Sequence, residues 1–286
     1  MDVLLLANAN ASGVGEDSLR DARDALVAHG VNVEAYATAA PDDFRRALAG
    51  AAGRRIALLG GDGSLHTAVN VGFAACEFAL LPAGGANNVA TSLGIPTELD
   101  EAAALAVDGS PRSLDLIDVV RGGVSYYAVE GVSVGFHAVA RAHYRSGNST
   151  DVLAALRAAA EAVRHFTGTT VTAVFGGERL RIRVAQLFVA NLPLYAFGLE
   201  VAPEASPDDG RVELVMNRWS GRTALIPLLV RLRRGTHVES SKTHSWSVDR
   251  LTIDPGASPI VADSTNLGRG AAEVSVKAGA LKVVAP

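Results

Sequence analysis

The amino-acid sequence predicts an α/β protein with two domains, an N-terminal three-layer domain on a parallel sheet and a largely antiparallel β-rich domain. Three observations lead to this prediction. Short apolar runs alternate with helical patterns over the first 118 residues, β-rich segments follow from about residue 119, and 49% of the 286 residues are hydrophobic. A chain of this length and apolar content can bury two cores.

The first domain shows a regular alternation of element types. Parallel neighbours need crossover connections, which helices supply, so this order favours a parallel sheet with helices on both faces. Ligands of such sheets bind beyond the carboxyl ends of the strands. The predicted strands are 3–7, 31–37, 56–59 and 78–81, and the predicted helices are 19–29, 42–48 and 66–74.

The second domain is β-rich, with alternating segments separated by Gly, Pro or charged turns. Two helical patterns interrupt it, at 152–166 and 222–234. The second pattern ends in Arg231, Arg233 and Arg234, which suit the negative end of a helix. A solvated last turn is the favoured interpretation of these arginines, with a lipid-headgroup patch as the alternative.

Charge and cysteine content exclude several classes. The 26 basic and 30 acidic residues give a net charge of −4, which argues against nucleic-acid binding through a general basic field. The single cysteine, Cys76, fits a reducing interior and a small buried residue. The N-terminus lacks a signal-peptide pattern and no apolar run reaches spanning length, so we expect a cytoplasmic protein with at most peripheral membrane contact.

The sharpest local signal is the segment 60–64 (GGDGS), between a predicted strand and a helix expected to start near His66. Glycines let backbone N–H groups approach an anion, and a helix start adds donors with partial positive charge. Ser64 is suited to cap this helix or to contact a phosphate. The spacing matches neither a dinucleotide fingerprint nor a Walker loop, and an ordinary tight turn is the alternative.

Two further loops strengthen the phosphate interpretation. The segment 8–13 (NANASG) follows the first strand, and the segment 82–88 (PAGGANN) follows the fourth. Because parallel strands bring their carboxyl ends to one edge, we expect the three loops to converge around a polyphosphate. For any single Asn or Gly, a turn role is the simpler explanation.

These motifs resemble the diacylglycerol kinase catalytic-domain family, which includes bacterial lipid kinases and sphingosine kinases. GGDGS resembles the family's GGDG[TS] nucleotide loop, and the segment 81–96 is similar to its P-x-G-T-x-N-D pattern followed by LGIP. ANASG stands near the family's N-P-x-S-G. Later matches at Asn191, Gly198 and Asp209-Gly210 keep the family order, so the resemblance spans nearly the whole chain.

The resemblance implies a Rossmann-like three-layer domain with NAD-kinase-like nucleotide loops and a β-sandwich-like second domain. It implies a nucleotide domain at 1–118, joined by a returning segment at about 278–286, and an acceptor domain at 119–277. ATP would lie on the first domain, and a lipid or other small alcohol would enter the cleft between domains. With Mg²⁺, the γ-phosphoryl group would pass to a hydroxyl of the diacylglycerol or sphingoid class, mainly through positioning and charge neutralisation.

The resemblance also suggests roles for particular residues. Asp62 and Asp263 are expected to be catalytic, with Asp62 near phosphate and metal. Asp209 is a candidate Mg²⁺ ligand, although the sequence SPDDG also suits a turn. His137 and His143 show no metal-ligand pattern. The expected nucleotide-binding residues are Asn8, Ser12, Gly60, Gly61, Asp62, Gly63, Ser64, Gly84, Gly85 and Asn87.

The departures from the family pattern keep other functions open. Gly85 and Asn88 stand where the family has Thr and Asp, and the family's D-G-E corresponds to Asp263-Ser264-Thr265. A threonine accepts no proton at neutral pH, and losing a positioned base costs about 10²- to 10⁴-fold in rate. The alternatives are a kinase of a soluble metabolite hydroxyl and a catalytically impaired nucleotide- or lipid-binding protein.

Overall fold

The computed structural model describes residues 1–11, 13–15, 17–73, 76–143, 152–218 and 221–286. The chain divides into two compact units. Unit 1 contains Met1–Leu114 and the C-terminal segment Gly279–Pro286, and unit 2 runs from Asp115 to Ala278 among the described residues. In the described part of the chain, no helix is both long and apolar enough to cross a membrane.

Unit 1 is an alternation of strands and helices, as its apolar periodicity predicts. Its elements are β1 (Asp2–Asn8), α1 (Ser18–Ala28), β2 (Asn32–Thr38), α2 (Pro41–Leu48), β3 (Arg55–Gly60), α3 (Asp62–Val71), β4 (Glu77–Pro82), α4 (Asn88–Ser92) and α5 (Leu99–Asp108). The four strands pair in parallel in the order β2-β1-β3-β4. Strand side chains such as Leu5 pack against Leu26 of α1 and Ala103 of α5. β1, β3 and β4 are apolar along most of their length, as expected of strands covered by helices, whereas the edge strand β2 is largely exposed.

One helix in unit 1 begins earlier than its sequence pattern suggested. The sequence pattern predicts a start near His66, whereas α3 begins at Asp62, separated from the end of β3 by one residue. Gly61 holds an extended conformation (φ −98°, ψ −171°) and is the residue that precedes the first helical turn. Asp62, Gly63 and Ser64 are therefore helical rather than part of a free loop, and the turn between strand and helix is a single residue long.

Unit 2 is largely β-structure, as predicted. Its first strand begins in unit 1 and its last strand ends there. The elements are β5 (Ser110–Arg121), β6 (Val124–Ala128), β7 (Gly131–Gly135), α6 (Phe136–His143), α7 (Val152–His165), β8 (Thr169–Phe175), β9 (Glu178–Val184), β10 (Gln186–Ala190), β11 (Leu194–Tyr195), β12 (Leu199–Glu200), β13 (Val212–Asn217), α8 (Leu225–Leu232), β14 (Thr243–Val248), β15 (Arg250–Asp254), β16 (Ile260–Ala262), β17 (Thr265–Gly268) and β18 (Ala272–Ala285).

Two layers of antiparallel strands, each from a different sheet, enclose the main core of unit 2. One sheet has the order β14-β13-β10-β7-β16-β17, and the other contains β18, β15, β8 and β9 in that order. Val132 and Leu214 from the first sheet join the same buried cluster as Ile253 and Val274 from the second. This arrangement is sandwich-like, because the inward side chains of two sheets form one core. The C-terminal part of β18 pairs in parallel with β4 through Lys282–Val284.

The predicted helix 222–234 is shorter than its pattern. A 3₁₀ turn occupies Arg222–Ala224, and α8 ends at Leu232. Arg231 lies in the last turn of α8, whereas Arg233 is the residue that follows the helix and Arg234 lies beyond it. The two last arginines therefore lie in the connection after α8 rather than within the helix.

Candidate functional site

The loops after β1, β3 and β4 lie together in unit 1. In the register of β3 and β4, Gly60 stands opposite Pro82, so the two strands end at the same level. The Ala83 amide donates to the Gly60 carbonyl (2.8 Å), and the Gly13 amide donates to the Ala83 carbonyl (3.0 Å). The convergence expected from the parallel sheet is thus present in the described residues of these loops. Ser12, an expected nucleotide-binding residue, lies outside the described residues.

The β3 and β4 loops approach each other closely through glycine backbone. A Cβ atom added to Gly84 would lie 2.4 Å from the Cα of Gly61, and one added to Gly61 would lie 3.0 Å from the Cα of Gly84. The first distance is shorter than any tolerated contact, so Gly84 accepts no side chain while the loops keep this spacing. Gly63 and Gly85 are exposed beside this contact. The surface formed here is therefore made largely of backbone atoms.

Asn87 closes its own loop. Its Oδ1 accepts from the Gly84 amide (3.0 Å), and its Nδ2 donates to the Gly84 carbonyl (2.9 Å). The residue is in the left-handed conformation (φ 48°, ψ 43°), which Asn adopts more readily than most residues. Both ends of the Asn87 amide thus support the loop. Its role as a direct nucleotide ligand stays a prediction.

Asp62 joins the β3 loop to the start of α4. Its Oδ2 accepts from the Asn88 amide and its Oδ1 from the Val89 amide, both at 3.0 Å. These are orphan donors at a helix N-terminus, which a carboxylate satisfies well. The carboxylate expected near phosphate and metal therefore has a structural function that the sequence did not reveal. The Asp62 carboxylate thus already occupies two amides at the start of α4, whereas α3 begins within the β3 loop itself.

Ser64 and Asn8 form a partly buried hydrogen bond between the β1 and β3 loops. Asn8 Nδ2 donates to Ser64 Oγ (3.1 Å), and Asn8 Oδ1 accepts from the Asn10 amide (3.0 Å). Ser64 is only 2% exposed and does not cap α3, which Gly61 precedes. Of the two roles suited to Ser64, capping is wrong, because the helix starts two residues before it, and phosphate contact stays a prediction. A crevice of about 10 Å³ beneath the loops has room for about one water molecule.

Unit 2 holds the second expected catalytic aspartate in a buried turn. Asp263 is 4% exposed and has a positive φ of 49°. Its carboxylate accepts backbone N–H bonds from Val129 (2.9 Å), Glu130 (2.9 Å) and Gly131 (3.1 Å). Its own amide donates to the Gly131 carbonyl (2.8 Å). Asp263 thus anchors the chain at the start of β7, and a catalytic role stays a prediction.

Thr265 stands at the position where the family that this sequence resembles has glutamate. Its Oγ1 lies 2.8 Å from the hydroxyl of Tyr126, and both residues are half-buried. Burial, followed by the charge of Asp263, raises the pKa of Tyr126, while the hydrogen bond with Thr265 lowers it in part. The phenol is therefore protonated near neutral pH. Neither hydroxyl of this pair can therefore act as a general base at neutral pH.

Asn191 and Asp115 are buried polar residues for which the sequence predicted no role, and both hydrogen-bond to backbone groups of unit 2. Asn191 Nδ2 donates to the carbonyls of Asp115 and Val129 (3.0 Å each). The Asp115 carboxylate accepts from the Gly210 amide (2.7 Å). A charged residue inside the apolar run of β5 was the signal that could have identified Asp115, since such residues are seldom fully buried without partners.

The candidate metal ligand Asp209 lies in a turn. Its Oδ1 accepts from the Arg211 amide (2.9 Å), and Asp208 accepts from Ser206 Oγ (2.8 Å). Among the described residues, no cluster of three or more His, Cys or carboxylate ligands includes Asp209. The contacts support the turn interpretation of SPDDG, and metal binding at Asp209 stays a prediction.

His66, His137 and Cys76 are buried or partly buried. His66 and Cys76 are buried, at 4% and 5% exposure. His137 Nδ1 lies 2.8 Å from Ser133 Oγ, and burial, together with the charge of Arg141, lowers the pKa of His137 to about 4. His137 is therefore neutral at physiological pH. Burial raises the pKa of the Cys76 thiol, which makes this thiol a poor nucleophile.

Comparison with protein families divides the chain at nearly the same place as the change from parallel to antiparallel structure. Residues 2–119 match the diacylglycerol kinase catalytic domain. Residues 130–285 match the YegS C-terminal NAD kinase beta sandwich-like domain.

Individual relatives carry kinase names. The chain is 26% identical over 269 residues to a diacylglycerol kinase of Mycobacterium tuberculosis, covering 90% of this chain and 86% of that protein. It is 34% identical over 137 residues to the "Probable lipid kinase YegS-like" of Stenotrophomonas maltophilia, covering 44% of each chain. The chain therefore aligns with less than half the length of this second relative.

Solved structures show the same fold. A crystal structure of a diacylglycerol kinase from Bacillus anthracis matches with a TM-score of 0.73 and 15% identity, covering 100% of this chain and 97% of that one. An NAD kinase from Archaeoglobus fulgidus, solved in complex with ATP, matches with a TM-score of 0.56 and 12% identity, covering 99% and 93%. These matches confirm the predicted fold class, a three-layer α/β domain followed by a sandwich-like domain.

Proposed function

Because the chain belongs to the diacylglycerol kinase catalytic-domain family, with a YegS-type C-terminal domain, we propose that it is an ATP-dependent kinase of a lipid hydroxyl. The family is one of lipid-kinase-like phosphotransferases. The single observation that carries the proposal is the close approach of Gly61 and Gly84. Two loops that touch through Cα atoms present backbone, and backbone N–H groups are what phosphate oxygens bind.

The start of α3 is the proposed place for the ATP phosphates. The first N–H groups of an α-helix have no acceptor within the helix, and the helix dipole adds partial positive charge. In this ten-residue helix the Ser64 amide donates to the Gly61 carbonyl (2.9 Å), so the amides of Asp62 and Gly63 are the ones proposed for phosphate. Gly63 lies in the first turn, and a Cβ atom there would meet nothing within 4 Å. The open space beside Gly63 is therefore suited to a phosphate chain.

Mg²⁺ would arrive with the nucleotide and neutralise phosphate charge. Asp62 is the fitting protein ligand, because a carboxylate has about four lone-pair sites and Asp62 uses one bond on each oxygen for α4. Asp62 is half-buried rather than enclosed. In this proposal its carboxylate both holds the two loops together and faces the metal.

The transfer forms a bond between the acceptor oxygen and the γ-phosphorus and breaks the bond to the bridging oxygen, so that ADP leaves. The acceptor proton must pass to a base. Thr265 with Tyr126 offers none at neutral pH, and Asp263 already accepts three backbone bonds. We therefore expect slow chemistry, by about 10²- to 10⁴-fold relative to an enzyme with a positioned base.

The Thr265–Tyr126 contact also favours a second candidate function. A protein that binds nucleotide or lipid with impaired catalysis needs the phosphate loops but no proton acceptor at this position. A diacylglycerol or sphingoid acceptor is proposed from the kinase names of the relatives, and a soluble alcohol is the alternative acceptor.

The direct test is transfer of labelled phosphate from ATP, with Mg²⁺, to diacylglycerol or sphingosine in detergent micelles. We expect a labelled lipid product that disappears when Mg²⁺ is chelated. Nucleotide binding without any labelled lipid would overturn the lipid kinase and favour the second function. Labelling confined to a water-soluble extract would favour the soluble acceptor. In the variant Thr265→Glu, increased turnover would indicate that the missing base limits the rate.

The phosphate position is tested by Gly63→Ala with Gly50→Ala as the matched control. Neither added Cβ meets an atom within 4 Å, so both variants should fold as the wild type does. We expect Gly63→Ala alone to weaken ATP binding by about tenfold, since an approaching phosphate needs the space of the Cβ atom. Calorimetric titration with ATP measures this difference. Equal affinities in both variants would place the phosphates elsewhere.

A further inference from the structure

The outer face of α8 is unusually apolar for a surface helix. Leu225, Leu228 and Leu232 face inward and pack in a buried cluster of unit 2. The opposite side also carries large apolar side chains, with Ile226 at 72% exposure and Leu229 at 51%. A surface helix normally places polar residues on its outer face, so α8 has apolar residues where a soluble helix has charged ones.

The exposed apolar residues extend from the last turn of α8 into the segment after it. Val230 and Val238 are 46% and 41% exposed, and they complete a group of four among the ten exposed large hydrophobic residues of the described chain. A hollow of about 520 Å³ lies between α8 and the segment after it, and its lining includes Pro227, Arg231 and Glu239. Apolar exposure is therefore concentrated in one short stretch of unit 2.

Basic residues accompany this apolar surface. The stretch from Arg218 to Lys242 contains six basic residues and one acidic residue, in a chain whose net charge is −4. Arg233 and Arg234 are exposed, and in the described part of the structure neither makes an ion pair. Apolar side chains beside a concentrated positive charge match the chemistry of an anionic bilayer, in which acyl chains lie beneath acidic headgroups.

We propose that the α8 patch, defined as Ile226, Leu229, Val230, Arg233, Arg234 and Val238, docks the protein on an anionic lipid bilayer. The apolar residues enter the headgroup boundary, and the arginines bind acidic headgroups. The inference rests on the proposed function, because a lipid acceptor resides in a bilayer and a kinase acting on it must reach that surface. The solvated last turn, favoured from the sequence, leaves the exposed apolar residues of α8 without explanation.

Binding of the full chain to sedimented vesicles tests the charge component. The probe is phosphatidylcholine vesicles with or without phosphatidylglycerol. Arg233→Ser/Arg234→Ser should weaken binding to the anionic vesicles by about thirtyfold, since each basic residue near such a surface contributes about a fivefold factor. The matched control is Arg179→Ser/Arg181→Ser, which removes two exposed arginines from β9 of the same unit. An equal loss in both variants, or equal binding of wild type to neutral and anionic vesicles, overturns the proposal.

The apolar component has its own matched pair. Ile226→Asp and Val124→Asp introduce the same charge at 72% and 71% exposed positions of unit 2. We expect Ile226→Asp to weaken vesicle binding about tenfold, because burying one large apolar side chain contributes that order of affinity. We expect Val124→Asp to bind nearly as the wild type does. If the two variants bind equally, the exposed apolar face serves another partner and the proposal fails.

The acceptor assay separates this inference from the proposed function. Arg233→Ser/Arg234→Ser should phosphorylate diacylglycerol in detergent micelles as the wild type does, but should lose activity on diacylglycerol in anionic vesicles. If the variant keeps its activity on diacylglycerol both in micelles and in anionic vesicles, the docking surface is overturned, whereas the proposed kinase activity is still supported. If neither the wild type nor any variant phosphorylates diacylglycerol in either form, the proposed kinase activity is overturned. The docking surface is still supported in that case if Arg233→Ser/Arg234→Ser binds anionic vesicles more weakly than its control.

Discussion

The two units each contain an aspartate that the sequence marks as catalytic, and each aspartate gathers backbone N–H groups. Asp62 of unit 1 accepts two such bonds and is half-buried at the start of a helix. Asp263 of unit 2 accepts three and is 4% exposed. Both aspartates therefore hold backbone amides in place. Asp263 is enclosed while doing so, whereas Asp62 keeps part of its carboxylate accessible to a ligand.

Burial is the physical reason for the difference. Removing a buried carboxylate leaves several donors without partners and without access to water, which costs more than removing a solvated one. An open carboxylate keeps lone pairs that a metal ion can reach. We therefore expect Asp263 to dominate stability and Asp62 to dominate nucleotide binding.

The largest expected effect is that of Asp263→Asn. The amide nitrogen would face backbone donors, and the charge that holds Val129, Glu130 and Gly131 would be lost. We expect a loss of about 3 kcal/mol in the free energy of unfolding, measured in urea. Asp249→Asn is the control, because that side chain is 62% exposed. Equal stabilities of the two variants would contradict the structural role of Asp263.

Gly84→Ala should have the next largest effect. The new methyl group would overlap the Cα of Gly61, and the two loops would have to separate. We expect a loss of about 1–3 kcal/mol, the usual cost of overpacking, with a parallel loss of ATP affinity. Gly50→Ala, which meets no neighbour, should change neither quantity. A stable Gly84→Ala variant with normal ATP binding would show that the contact between the loops is dispensable.

Asp62→Asn should reduce the free energy of unfolding less than Gly84→Ala does, but should have a large effect on ATP binding in the presence of Mg²⁺. Loss of a capping side chain at a helix start costs about 1 kcal/mol. We expect thermal unfolding to change little, whereas the Mg²⁺ dependence of ATP binding should largely disappear. Asp24→Asn, an exposed position in α1, controls for the loss of one negative charge. A larger destabilisation than that of Asp263→Asn would contradict the expectation that Asp263, and not Asp62, dominates stability.

At neutral pH the smallest expected effect is that of His137, because its contribution to stability changes only below about pH 6.5. Its pKa is about 4 in the folded protein, against an ordinary value of 6.5, because burial and Arg141 disfavour the charged ring. The unfolded chain therefore takes up the proton first, and stability is complete above about pH 6.5 and falls as the pH decreases toward 4. The unfolding free energy of the wild type should decline more steeply between these values than that of His137→Asn. Parallel curves would contradict the depressed pKa.

Much of the candidate site could be predicted because its motifs are local. GGDGS and PAGGANN follow neighbouring strands of a parallel sheet, and such strands end at one edge, so their convergence follows from the alternation alone. The contacts made by their polar atoms could not be predicted. Ser64 became buried because α3 starts at Asp62, and Asn87 bonds to its own loop because it adopts a left-handed conformation.

The sequence by itself determined the two fold types, since apolar periodicity is a local property that separates covered parallel strands from half-covered antiparallel ones. Only the tertiary structure decided which polar groups meet. Thr265 reaches Tyr126 across 139 positions, and Asp263 collects amides more than 130 positions away. A one-dimensional pattern contains no information on such pairs, because folding the two sheets of unit 2 is what brings them within hydrogen-bond distance.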